Sequence, residues 1–295
     1  MSKYFGILAV ILASLLWGTT GTAATFAPSL SPLFIGAFAM GIGGILQCGL
    51  AIPSIIQAQS LLRLHYRYLI VGALAVAIYP LAFYSSMRLS GVSIGTVVSI
   101  GSAPILSAII EYLSRDFQFS KQWAIGALLG IIGMSMLAFS GNEATQYSHL
   151  SWGILLGLVA GLTYALYSWS ARQLMLKGMN SKAAMGATFG GGGLLLIPVM
   201  VITGSAFLTT WNNIAVGFYM ALIPMFLGYL CYGYGLSKIS ASMAITITLL
   251  EPVVATILAI LIVGEDLSLI SWLGILLIFL CLIMVITSNL NKKSF

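Results

Sequence analysis

The spacing of the charged residues constrains this chain more than any other feature. Almost every stretch between charged clusters runs for about 20 apolar residues, enough to carry an α-helix across roughly 30 Å of hydrocarbon. The pattern repeats along all 295 residues. Length alone would permit two soluble domains, but soluble domains are about 25% charged, whereas this chain is 60% hydrophobic and 6% charged, with a mean hydropathy of +1.08. Lipid is its main solvent, and the chain reads as an all-α, multi-pass membrane protein.

Cutting at charges, prolines and polar clusters gives ten spans: 4–27, 33–55, 67–87, 92–112, 121–139, 150–172, 182–203, 213–236, 241–262 and 268–289. The first, behind Lys3, has a longer apolar core than a signal peptide and a counterpart later in the chain, so it is kept as a mature helix. Cytoplasmic loops are enriched in Lys and Arg. With the N-terminus inside, eleven of the twelve Lys and Arg residues fall on inside segments, from Lys3 to Lys292 and Lys293, and Arg88 alone lies outside. Both termini are therefore expected to be cytoplasmic. The net charge of +6 is scattered rather than gathered in a patch, which argues against a nucleic-acid partner. Cys48, Cys231 and Cys281 all sit inside apolar segments, so neither a disulfide framework nor a CxxC metal site is expected.

Comparing the chain with itself reveals a repeat. GILAVILASLLWG from Gly6 lines up with GILLGLVAGLTYA from Gly153, which sets Trp17 opposite Tyr164. SAPILSAIIEYLSRD from Ser102 matches LEPVVATILAILIVGED from Leu250, with Pro104 opposite Pro252. Two halves of five spans each follow. An odd number of spans turns the second copy upside down, so equivalent loops should carry opposite charge bias. SRDFQFSK holds Arg115 and Lys121, while its counterpart GEDLS holds Glu265 and Asp266. Inverted repeats of this kind are an architecture of secondary transporters, with a site near the midplane where the halves meet; repetition is also compatible with a channel or a scramblase.

The stretch KISASMAITITLLEPVVATILAILIVGEDLSLISWLGILLI, from Lys238 to Ile278, resembles the signature of the EamA-type branch of the drug/metabolite transporter superfamily. WGTTGTA after the first span resembles the start of the same domain, and the first-half counterpart RLSGVSIGTVVSIGSAP is looser, lacking a glutamate before its proline. The likeness covers essentially the whole chain, as two EamA-like halves, 5–140 and 152–288. It implies a ten-helix bacterial inner-membrane exporter of small metabolites, often amino acids, or of drugs.

Glu251 lies near the centre of the ninth span, where an acid costs about 3 kcal/mol to insert. Two readings stand side by side. As a functional group it faces a wet cavity and exchanges a proton as substrate binds; as a structural anchor it accepts hydrogen bonds from Tyr hydroxyls, Thr246 or Thr248 and fixes the helix around Pro252. The other acid within a span, Glu111, is near the cytoplasmic end of the fourth and is expected to snorkel to water or to pair with Arg115 one turn on. Pro104 and Pro252 each remove a backbone donor and are expected to kink their helices, as paired hinges or as static bends.

Aromatic residues supply the remaining candidates. Trp17, Tyr79, Phe83, Tyr164, Tyr167, Tyr229 and Tyr232 are the expected substrate contacts, offering π faces and hydroxyls. Tyr84 and Tyr234, near the Arg88 and Lys238 ends, are expected in the interfacial belt instead. The cavity is expected between spans one, three and four and spans six, eight and nine. The glycine runs at 41–44 and 190–193 suit close helix packing, within a chain or between chains.

His65 and His149 fall in loops, no HExxH is present, and no Asp or His falls within a span to activate a serine. No catalytic residue, metal or cofactor is expected, and the lack of a Walker motif argues against direct ATP drive. The expected partners are a small-molecule substrate, the lipid bilayer and protons as a candidate coupling ion. Uptake of a sugar or nucleoside-like solute would call for more Asn, Gln and charge than these spans hold.

Overall fold

The computed structural model describes residues 2–115, 120–139, 149–263 and 267–290. Among them there is no strand, and ten helices are long and apolar enough to span a membrane. They are α1 (Lys3–Thr25), α2 (Pro32–Gln57), α3 (Tyr66–Ser90), α4 (Val92–Leu113), α5 (Lys121–Phe139), α6 (Leu150–Leu176), α7 (Ser181–Thr203), α8 (Trp211–Leu236), α9 (Ala241–Ile262) and α10 (Leu269–Ser288). The largest departure from the expected boundaries is at the end of α6, which runs to Leu176 rather than 172. Glu265 and Asp266, Asp116, and the terminal Lys292 and Lys293, on which part of the charge argument rests, lie outside the described residues.

Helix starts are set by short polar side chains that accept otherwise orphaned amides. Ser31 accepts the Phe34 amide at 3.0 Å, with Pro32 at the first helical position. Asn180 accepts that of Ala183 at 2.8 Å, and Thr210 and Ser240 do the same for α8 and α9. Gly91, at φ 87°, is the single residue between α3 and α4; only glycine takes that conformation cheaply. Within the spans, hydroxyls turn back onto their own helix: Ser14 donates to the Val10 carbonyl at 2.9 Å and Thr163 to that of Val159 at 2.8 Å. A polar group in hydrocarbon is satisfied this way without leaving its helix.

Packing follows the small residues. The helix α2 runs against α7, α3 against α6, α5 against α10, and α1 against the last turns of α8. A Cβ on Gly44 would stand 2.3 Å from the Phe189 carbonyl oxygen, and one on Gly193 2.6 Å from that of Gly41. The two glycine runs therefore pack against each other within the chain, letting the α2 and α7 backbones touch. Large apolar side chains such as Leu8, Leu12 and Leu15 of α1, or Leu194, Val201 and Ile202 of α7, face outward.

Three spans depart from regular α geometry. The helix α1 is interrupted by a turn at Gly18 and Thr19, between α-helical segments Ser2–Trp17 and Thr20–Thr25. The middle of α8, Ala221–Leu227, is a π-helix containing Pro224. The helix α9 is α-helical to Ile247, 3₁₀ over Thr248–Leu250, α-helical again from Glu251, and a π-helix over Ala259–Val263. Pro252 thus follows a change of helix type, whereas α4 runs as unbroken α-helix through Pro104. The two prolines aligned by the repeat sit in unequal settings.

Candidate functional site

Where α1, α2, α3, α6, α8 and α9 converge they enclose a cavity of about 50 Å³. Pockets that hold drug-sized ligands run to roughly 300–1,000 Å³, so this space suits a few waters and its walls must part to admit a solute. Tyr164 and Tyr167 of α6 form one wall, with ring centroids 5.3 Å apart. Tyr79 of α3 lies 5.6 Å from Tyr164 and 5.7 Å from Tyr167, and Phe83 stacks on Tyr79 at 5.7 Å. Trp17 of α1 closes the circle, 4.7 Å from Tyr229 of α8 and 6.5 Å from Tyr164.

Hydrogen bonds fix this wall. The Trp17 indole N–H donates to the Pro224 carbonyl at 2.9 Å, and the Gln47 amide donates to the next carbonyl, that of Met225, at 3.3 Å. The π segment of α8 thus presents two successive carbonyls to α1 and α2, a use of irregular helix that recurs at functional sites. Trp17 comes this close because its neighbour is Gly228, where a Cβ would lie 2.6 Å from the indole nitrogen. The hydroxyls of Tyr167 and Tyr229 meet at 2.9 Å, those of Tyr164 and Thr248 at 2.8 Å, and that of Tyr232 meets Ser168 at 2.9 Å.

Glu251 lines the cavity at the first residue of its α-helical segment. No hydrogen bond or ion pair reaches its carboxylate among the described residues. Two of the donors named for the anchoring role are engaged elsewhere: Thr246 donates to the Ser242 carbonyl at 2.7 Å and Thr248 to that of Ile245 at 2.8 Å.

Glu111 departs from expectation. It neither snorkels nor pairs with Arg115: it is buried, and its Oε1 accepts the Ala241 amide at 2.8 Å and that of Ser242 at 3.3 Å. Two free amides at the start of α9 offer a carboxylate hydrogen bonds and the positive end of a helix dipole, and these outcompete a solvated neighbour on a surface turn.

Of the expected substrate contacts, Trp17, Tyr79, Phe83, Tyr164, Tyr167 and Tyr229 all reach the cavity, and Glu251 joins them. Tyr232 does not; it is fully buried behind Trp17, 5.2 Å from its ring. Pro104 and Pro252 are not among the lining residues, and α4 contributes none. The helix α2 takes its place through Gly36, Ala39 and Met40. Tyr84 is in the cavity wall rather than the interfacial belt, because Gly36 leaves it room: a Cβ there would lie 2.5 Å from the Tyr84 ring. Tyr234 is 42% exposed, with the Lys238 ammonium 5.6 Å above its ring, as a belt residue should be. Nothing in the sequence gave the rotation of α2 that makes room for Tyr84.

Several known proteins resemble the chain. A family model described as the EamA-like transporter family matches residues 4–139 and again 151–287. The chain is 30% identical over 288 residues to the uncharacterized transporter YwfM of Bacillus subtilis (strain 168), covering 97% of this chain and 95% of that one. It is 26% identical over 290 residues to the uncharacterized inner membrane transporter YicL of Salmonella typhimurium, covering 95% and 94%. A probable terminal-alkyne amino-acid exporter of Streptantibioticus cattleyicolor is 20% identical over 265 residues, covering 86% and 87%. A solved crystal structure matches with a TM-score of 0.80 over 98% of this chain and 99% of that one, at 15% identity, a likeness of fold.

Proposed function

Because the chain belongs to the EamA-like transporter family, we propose that it is a secondary transporter exporting small metabolites or amphipathic drugs by alternating access around the aromatic cavity. It is a multi-pass protein of the bacterial inner membrane, with ten apolar helices and relatives named as inner-membrane transporters. The observation that carries the reading is the cavity itself. It lies inside the bundle rather than on its lipid face, six helices from both halves wall it, and an acid without a partner among the described residues opens into it. Intramembrane acids of this kind mark substrate or ion pathways.

The two halves are read as inverted repeats; the helix pairing supports a two-fold relation between them, and the cytoplasmic placing of the termini rests on the Lys and Arg distribution. α2 with α7, α4 with α9 and α5 with α10 join repeat mates, while the contacts α1 with α8 and α3 with α6 exchange when the halves swap. Export as the direction rests on the family resemblance and on the name of the distant Streptantibioticus relative. Sugar or nucleoside uptake fits less well, since among the described residues Glu251 is the only charged one in the lining and none is Asn or Gln.

The test is counterflow in proteoliposomes against a panel of amino acids and cationic drugs, with and without a pH gradient, comparing Glu251→Gln with the parent. The reading expects at least one solute to exchange. No exchange of any solute together with rapid lipid flipping overturns it, and full gradient-driven transport by the variant removes proton coupling from Glu251.

A further inference from the structure

We propose that the central cavity selects organic monocations, a primary amine or quaternary ammonium on an aromatic or aliphatic body, over zwitterionic amino acids and organic anions. The inference rests on the cavity being the transport site and narrows what it takes.

Among the described residues the lining carries one carboxylate, Glu251, and no Lys, Arg or His. A solute with a fixed positive charge finds there a carboxylate with no competing ligand among the described residues. It also finds the rings of Trp17, Tyr79 and Tyr229 around the same space, and aromatic rings attract cations most strongly where water is excluded.

A carboxylate on the solute meets the opposite situation. Donors that would receive it are largely committed inside the protein. The Trp17 N–H is held by the Pro224 carbonyl and the Thr20 hydroxyl by that of Trp17. Thr248 gives its own hydrogen to the Ile245 carbonyl, so in the 2.8 Å contact with Tyr164 the tyrosine is the donor and its hydrogen is also spent. Tyr167 and Tyr229 share one hydrogen between their oxygens and keep one. What remains is that hydrogen and the hydroxyls of Tyr79 and Tyr84, all neutral. An anion placed here gains a few neutral hydrogen bonds, loses its hydration and faces Glu251 across a low-dielectric space. A zwitterion can satisfy its ammonium only by bringing its carboxylate into that same position.

The experiment uses the full-length protein in proteoliposomes or nanodiscs at neutral pH and four probes sharing a benzyl or phenethyl body: phenethylamine, benzyltrimethylammonium, phenylalanine and phenylacetate. Calorimetric binding and counterflow are read for each. The proposal expects both cations to bind and exchange with at least about tenfold preference over phenylalanine, with phenylacetate weakest. Glu251→Gln should lose about tenfold or more in cation affinity, while Glu251→Asp keeps part of it. Equal or tighter binding of phenylalanine by the unaltered protein overturns the proposal, as does cation binding unchanged in Glu251→Gln, or no binding by any probe. Tyr79→Ala separates the two levels of the argument. If it alters binding but the charge preference is reversed, the cavity stands and only the selectivity falls. If binding of every probe is indifferent to Tyr79→Ala and Glu251→Gln, the cavity is not the site.

Discussion

The Oε1 atom of Glu111, on α4, accepts the Ala241 amide that begins α9 at 2.8 Å, bridging 130 residues of sequence. The bond ties one half of the chain to the other at a helix terminus. Glu111→Ala leaves two buried amides without their acceptor, and the expected loss is about 1–3 kcal/mol. Glu111→Gln keeps an acceptor oxygen but not the charge facing the helix dipole, and should cost less. Thermal unfolding of the purified protein in a mild detergent checks the order; a Glu111→Ala protein as stable as the parent would contradict it.

Trp17 offers a second test. Trp17→Phe retains an aromatic ring beside Tyr229 but deletes the donor to the Pro224 carbonyl. In an α8 whose π segment relies on neighbouring helices for those carbonyls, a loss of about 1–2 kcal/mol is expected. Gln47→Leu should act in the same direction and more weakly, its bond to Met225 being longer at 3.3 Å. Melting temperatures of both variants in one detergent decide the matter.

Two glycines on the same helix separate packing from intrinsic helix preference. A Cβ on Gly44 would lie 2.3 Å from the Phe189 carbonyl oxygen, whereas one on Gly49 meets nothing within 4 Å. Gly44→Ala should therefore destabilise by about 1–3 kcal/mol, while Gly49→Ala should be neutral or stabilising by up to about 1 kcal/mol. Similar yields and melting temperatures for the two proteins would refute close α2–α7 contact.

Topology can be checked without purification. With both termini cytoplasmic, a green fluorescent protein fused to the C-terminus should fluoresce and an alkaline phosphatase fused there should be inactive. The reverse pattern would invert the expected orientation.

Much of the fold was legible because lipid imposes one length and one polarity on every span, so both ends of each of the ten expected spans lie within four residues of those in the structure. The aromatic wall was legible for a similar reason: Tyr79 and Tyr164 are too deep to serve as interfacial anchors. What could not be read is how each helix is turned and which one it faces. Tyr84 enters the cavity only because Gly36 of another helix makes room, α2 rather than α4 completes the wall, and Glu111 finds its partner 130 residues away. These are relations between helices, and hydropathy describes helices one at a time.

The unequal prolines carry a consequence for motion. Among the described spans, π-helical segments occur in α8 and α9, both in the second half, while the first-half mate of α9 runs as unbroken α-helix through Pro104. A carrier whose halves trade poses would, in this chain, be trading a stiff member for a compliant one. Its two end states would then not be mirror images in cost.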